Sequence, residues 1–150
     1  MGEVTIEIEA AIAKLKLDKS IISKIDLQYN SLLYFELLAF FVKGNDRRWW
    51  WEAFKSSFSF KRLDYPPNSF SEIIPNLTRK VWLMIEDDQE PFYPIYDVAP
   101  NYICDILNEC FGFEYYIIDK DYKWLLCENH HGSLIGVGDV LKEHNLSLIV

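Results

Sequence analysis

The stretch Phe113–Gly138, FEYYIIDKDYKWLLCENHHGSLIGVG, decides the fold class. Two apolar runs, Glu114–Ile118 and Lys123–Cys127, flank the charged segment Asp119–Tyr122, and a third, Leu134–Val137, follows the polar corner Glu128–Gly132. Short β-branched and aromatic runs separated by turn-forming residues predict neighbouring strands of an antiparallel sheet. Upstream, Val81–Ile85 sets Val81, Leu83 and Ile85 on one side and Trp82 and Met84 on the other, the pattern of a strand buried on both faces. After the acidic turn Glu86–Glu90, residues 92–98 return as another strand. Pro91 and Pro94 place that strand toward an edge or a bulge, because proline has no amide to donate. Pro100 then opens a helix carrying Ile103, Ile106, Leu107 and Cys110 on one face and closed by Gly112. A short helix Asp139–His144 and an edge strand within Leu146–Val150 complete this half.

Before residue 65 the period is helical. Ile8, Ala11, Ile12 and Leu15 recur along Val4–Leu17, Asp18 is placed to cap a second helix bearing Ile21, Ile22 and Ile25, and Ser31–Lys43 reads as a third that ends at Gly44. Asp46 is expected to cap a helix over 47–58 in which Trp50, Phe54 and Phe58 share a face and Trp49 points elsewhere. Residues Lys61–Pro67 carry no helical period and end in Pro66–Pro67, so they read as a connector, and Ser69 caps one turn through Phe70, Ile73 and Ile74 before Pro75. The expectation is an α+β fold, a single domain over residues 1–150. Its helical part (1–65) packs on an antiparallel sheet of about five strands drawn from 80–150.

Half of the 150 residues are hydrophobic and 16% are aromatic, ample material for a core. The three cysteines, Cys104, Cys110 and Cys127, form no CxxC pair and follow no export signal, which favours free thiols and a cytoplasmic protein. Glu36 interrupts the longest apolar run, Leu32–Val42, which falls short of the roughly 18–20 residues of a membrane span. Charge is uneven: residues 1–80 carry 12 Lys/Arg against 10 Asp/Glu, and residues 81–150 carry 3 against 13. So acidic a half repels phosphate backbones and argues against nucleic acid, while a basic protein suits it.

The cluster Cys127, Glu128, His130 and His131 contains metal-ligand types, but zinc would need further ligands at a spacing the chain does not supply, so no metal or cofactor is expected. Cys127 with His130 or His131 could form a nucleophile pair. No strand-turn-helix motif accompanies it, and Cys127 alternates with Leu125 as a core thiol would, so no catalytic residue is assigned. Gly132, Gly136 and Gly138 match no phosphate-binding pattern. The tryptophans at 49–51, beside Arg47 and Arg48, read either as core packing or as a contact patch.

The run KVWLMIEDD, the proline-bounded strand and helix after it, and then EYY at 114–116, DYKWL at 121–125 and NHH at 129–131 before Gly138 resemble small bacterial immunity-type proteins of polymorphic toxin systems. The resemblance covers residues 80–140. It implies a cytoplasmic protein that is not an enzyme and that binds and neutralises one cognate toxin domain, in many cases a basic nuclease. On that reading the contact set is Asp87, Asp88 and Glu90, then Asp119 and Asp121, then Glu128, His130 and His131, with Glu86 and Asp97 behind them. The alternative is a general protein-interaction module using Trp49–Trp51.

Overall fold

The structure, a computed structural model, describes residues 1–44, 49–55, 60–63, 70, 73–138 and 148–149, with only the backbone of 60–63 and 148–149. Its centre is one antiparallel sheet of eight strands in the order β1-β4-β3-β5-β6-β7-β2-β8. Six come from the C-terminal half: β3 (Val81–Ile85), β4 (Ile95–Val98), β5 (Tyr115–Ile118), β6 (Leu125–Glu128), β7 (Leu134–Val137) and β8 (Leu148–Ile149). Two come from the N-terminal half, β1 (Ile22–Lys24) and β2 (Phe60–Leu63). The helices are α1 (Glu3–Lys14), α2 (Leu27–Phe41) and α3 (Ile103–Asn108). The α+β arrangement expected from the pattern is therefore present, with more strands than the sequence suggested.

Antiparallel sheets commonly leave one face in water. This one covers both. Alternate side chains of the central strands (Leu83, Ile85, Tyr115, Ile117, Leu126) join Ile8 and Ala11 of α1 and Ile103 and Ile106 of α3 in one core. Their neighbours (Met84, Tyr116, Ile118, Leu125, Cys127) join Leu33, Leu37, Leu38 and Phe41 of α2, with Trp50 and Phe54, in a second. Burial on both sides explains why β5 and β7 are apolar or aromatic throughout, and every residue of both strands is buried.

Three expectations are corrected. The segment around Ile22 is a strand, not a helix: Ile22, Ser23 and Lys24 pair with Val98, Asp97 and Tyr96. Asp18 binds its own loop at Ser20 instead of capping a helix, and Asp26 starts α2 by accepting the Tyr29 amide at 3.0 Å. With β1 beyond it, β4 is interior rather than an edge. Pro91 and Pro94 both precede its first paired residue, Ile95, so the ladder loses no donor. Finally, the 47–58 helix is replaced at its described centre by a single 3-10 turn, Trp50–Glu52. Its cap Asp46, Arg47, Arg48 and Phe58 lie outside the described residues, as do Pro66–Pro67, Ser69 and the helix expected over Asp139–His144.

The strand register fixes two distinct ends. β3 finishes where β5 begins (Ile85 opposite Tyr115), β6 finishes there too (Glu128 opposite Tyr115), and β7 begins opposite Glu128. The loop 86–94, Glu114 and the 129–133 hairpin thus share one end, the Glu114 end. The 119–124 hairpin, Lys80 and Gly138 share the other, the Asp119 end. Gly138 has φ +108°, and a Cβ there would drive into the Lys123 carbonyl, so glycine is required where the chain leaves β7.

Candidate functional site

At the Glu114 end, Asn129 builds the corner. Its buried side-chain oxygen accepts the amides of His131 and Ser133, each at 3.0 Å, and its carbonyl accepts the Gly132 amide, leaving both imidazoles on the surface. Below them Glu114 has a side chain only 1% exposed. It accepts the Trp51 indole N–H at 2.8 Å, the Tyr116 hydroxyl at 2.8 Å and the His130 amide at 3.3 Å, and His130 Nδ1 lies 3.3 Å from the same carboxylate. A buried carboxylate needs such donors, and it fixes whatever holds them. Above it, the His130 ring sits 5.5 Å from Trp49, 5.7 Å from Trp51 and 4.1 Å from His131 between centroids, and Trp51 meets His131 edge-on at 5.9 Å. The tryptophan patch and the histidine corner, separate in sequence, are one surface.

On the other face of the same end, a groove of about 470 Å3 runs between the Phe111–Phe113 loop and the corner, lined by Phe70, Leu107, Phe113, Tyr115, Glu128 and His130. The Tyr115 hydroxyl donates to Glu128 at 2.8 Å. Burial, then the Glu128 charge, push the Tyr115 phenol far above its ordinary pKa, so it remains a donor. His130 lines the groove and touches the tryptophans, so it joins the two features.

The acidic turn has a second use. Asp87 is 1% exposed and accepts the Thr5 amide at 2.9 Å, the Thr5 hydroxyl at 2.7 Å and the Gln89 amide at 3.0 Å. Gln89 accepts the Glu3 amide at 2.9 Å, and Glu90 accepts the Gly2 amide. The first turn of α1, whose N-cap Gly2 offers no side chain, is capped from across the fold. A Cβ at Gly2 would collide with the Asp87 carboxylate, so the cap also explains the glycine.

Of the sequence-selected residues, the structure brings Asp87, Asp88, Glu90, Glu128, His130 and His131 to one end, with second-line Glu86 beside them. Within that group Asp87 is withdrawn into the cap, while Asp88, His130 and His131 are exposed. Asp119 and Asp121 are not brought there. Asp119 is buried in its hairpin, accepting the Lys123 amide at 3.0 Å, and Asp121 forms a two-pronged pair with Arg79 at 2.5 and 3.0 Å. Asp97, also at that end, lies 3.7 Å from Lys80 and against Lys120. Sequence reasoning missed Glu114. The signal was available: an acid opening a wholly apolar strand demands a buried partner.

Cys127 is fully buried in the α2-side core, and burial, then the Glu114 charge, push its thiol well above the ordinary value. A reactive thiolate needs the opposite environment. Cys110 is likewise raised by burial, to about 11. Among the described residues, no group of three or more His, Cys, Asp or Glu side chains is placed to hold a metal ion, and no helix is long and apolar enough to cross a membrane.

A family model spans nearly the whole chain, residues 2–149. The chain belongs to the DUF6756 family, a family of unknown function. No curated protein and no solved structure matches it. The two faces of its sheet, the trans-capped α1 and the Glu114 end are thus features of a DUF6756 member read from its own residues.

Proposed function

We propose that the protein is an immunity-type inhibitor, which binds a basic toxin domain through the Glu114 end of its sheet and neutralises it. One observation carries the reading. The register gathers Asp88, Glu128, His130 and His131 at one end, where the histidine rings meet Trp49 and Trp51, while Arg79, Lys80, Lys120 and Lys123 stand at the opposite end. Carboxylates beside a tryptophan-lined platform combine long-range attraction for a basic surface with anchors of large contact area. Glu114 holds the platform from beneath, so little ordering would be left for binding to supply. Inhibition then follows from coverage: an acidic face seated over a basic substrate groove excludes a phosphate backbone from it.

The test is association with the toxin domain encoded beside this gene, followed in real time at two salt concentrations. Asp88→Lys with Glu128→Lys is expected to slow association at least ~10-fold and to flatten its salt dependence. Trp49→Ala is expected to speed dissociation. Absence of a neighbouring toxin gene, or unchanged association in the charge-reversed variant, defeats the proposal. The general interaction module uses the same surface and differs in one outcome, binding without protection of cells from a toxin.

A further inference from the structure

We infer, resting on the immunity-type reading above, that the groove beside the Phe111–Phe113 loop is a subsite that captures an arginine side chain of the basic protein partner, with Glu128 as its acceptor. At about 470 Å3 the groove falls within the roughly 300–1,000 Å3 of sites that enclose small groups. Among the described residues that line it there is no lysine or arginine, and Glu128 is the one carboxylate. Glu128 is half-buried, accepts the Tyr115 hydroxyl at 2.8 Å and forms no ion pair among the described residues. The carboxylate is thus partly withdrawn from water, oriented by a neutral donor and left with acceptor capacity for a cation.

The groove's neighbours add to the negative field. Burial raises the Cys104 thiol in the groove wall, and the charges of Asp105 and Glu128 raise it further. The one imidazole in the lining, His130, has its Nδ1 3.3 Å from Glu114, on the side away from the groove's carboxylate. A phosphate or a carboxylate ligand would therefore meet Glu128 with no cation beside it to offset the repulsion.

The walls select which cation. Phe70 and Phe113 each pack edge-on to Tyr115 at 6.5 Å, so three aromatic rings adjoin the carboxylate. A guanidinium is planar and weakly hydrated, packs on aromatic rings and meets a carboxylate with a fork of donors, whereas an ammonium is compact and strongly hydrated. Phe111 indicates that the cation belongs to a protein. It lines the groove yet is 84% exposed, so it stands at the mouth, where the backbone carrying an arginine would cover it and a free small cation would leave it in water. His130 joins the groove to Trp49 and Trp51, so a partner seated on the tryptophan platform reaches Glu128 without a break.

NMR titration of the full chain with an end-capped Ala-Arg-Ala peptide tests this without the partner, and the same peptide with citrulline for arginine is its uncharged isostere. The arginine peptide is expected to shift the amides of Cys104, Gly112 and Gly132 saturably and to bind at least ~10-fold more tightly than the citrulline peptide. Glu128→Gln, which retains an acceptor for Tyr115, is expected to abolish that preference. Asn108→Lys, at an exposed position of the lining, is expected to weaken arginine binding at least ~10-fold, and it decides alone should Glu128→Gln not fold. Equal binding of the two peptides, a preference that survives the deciding variant, or tighter binding of free arginine than of the peptide overturns the inference. Each of these leaves the salt-dependent association expected of the platform standing. A chain that prefers the arginine peptide but has no toxin gene beside it loses the immunity-type reading and keeps the subsite.

Discussion

The two ends of the sheet use the same residue types for different ends. At the Asp119 end, carboxylates meet cations across short distances: Asp121 with Arg79, and Asp97 between Lys80 and Lys120. At the Glu114 end three carboxylates are held chiefly by neutral donors instead, Glu114 by an indole, a phenol and the His130 amide, Glu128 by a phenol, and Asp87 by amides and a hydroxyl, while Glu90 lies 3.9 Å from the Met1 ammonium. Pairing with a cation cancels the field of a carboxylate. Binding to neutral donors stabilises the charge and leaves its field in place. The charges of Asp121 and Asp97 are therefore paired, whereas Glu114, Glu128 and Asp87 keep theirs with their side chains fixed.

The comparison is broken most directly at Glu114. Glu114→Ala removes the acceptor of the half-buried Trp51 Nε1 and of the buried Tyr116 hydroxyl, and is expected to cost ~3 kcal/mol in urea denaturation. Glu114→Gln keeps the shape and should recover about half of that. If Glu114→Ala were as stable as wild type, the platform would not rest on that carboxylate. Asp87 and Asp88 come next, as adjacent acids with opposite roles. Asp87→Ala uncaps α1 and strands the Thr5 amide and hydroxyl, with an expected loss of ~2 kcal/mol. Asp88→Ala, on the exposed side of the turn, should stay within ~0.5 kcal/mol.

The sheet's interior was legible in the sequence and its ends were not. Strands 115–118, 125–128 and 134–137 announced themselves because both faces are buried and their residues are β-prone. Ile22–Lys24 was misread because three residues cannot display a period, and Ile21, Ile22 and Ile25 fit helical spacing equally well. Most of β2 falls in Lys61–Pro67, which has no helical period and reads as a connector. Composition also showed that the second half is acidic, but which acids share an end depends on register, set by pairings far apart in sequence. Hence Asp119 and Asp121 were grouped with Asp87 although the sheet separates them. The exposed Trp49, half-buried Trp51 and buried Trp50 could be divided only once the 3-10 turn was seen.

Alkali sharpens the same contrast. Burial, before any other cause, raises the phenols of Tyr96, Tyr115 and Tyr116, and each also donates to a carboxylate, Glu9, Glu128 and Glu114 respectively. A folded-state pKa above the unfolded value of about 10 means that stability is fully present below that pH and declines as pH rises toward the folded values. Each such tyrosine is expected to contribute a slope of about 1.4 kcal/mol per pH unit above 10. Tyr115→Phe should reduce the total slope by one such share, measured by denaturation at several alkaline pH values. An unaltered slope would show that Tyr115 ionises as freely folded as unfolded.

The smallest effect is expected where the ion pair looks best. Arg79 holds the Asp121 carboxyl below its ordinary pKa, chiefly through their hydrogen bonds. A depressed folded-state pKa means that the pair's contribution is present above the unfolded carboxylate value and is lost as pH falls through the folded one. Both side chains are well exposed, so water and salt screen the pair and ordering two flexible side chains offsets the attraction. Asp121→Asn should therefore melt with the wild type at neutral pH within measurement error, and any difference should vanish in acid. A clear loss of stability at neutral pH would mean that the Asp119 end is stapled by its charges.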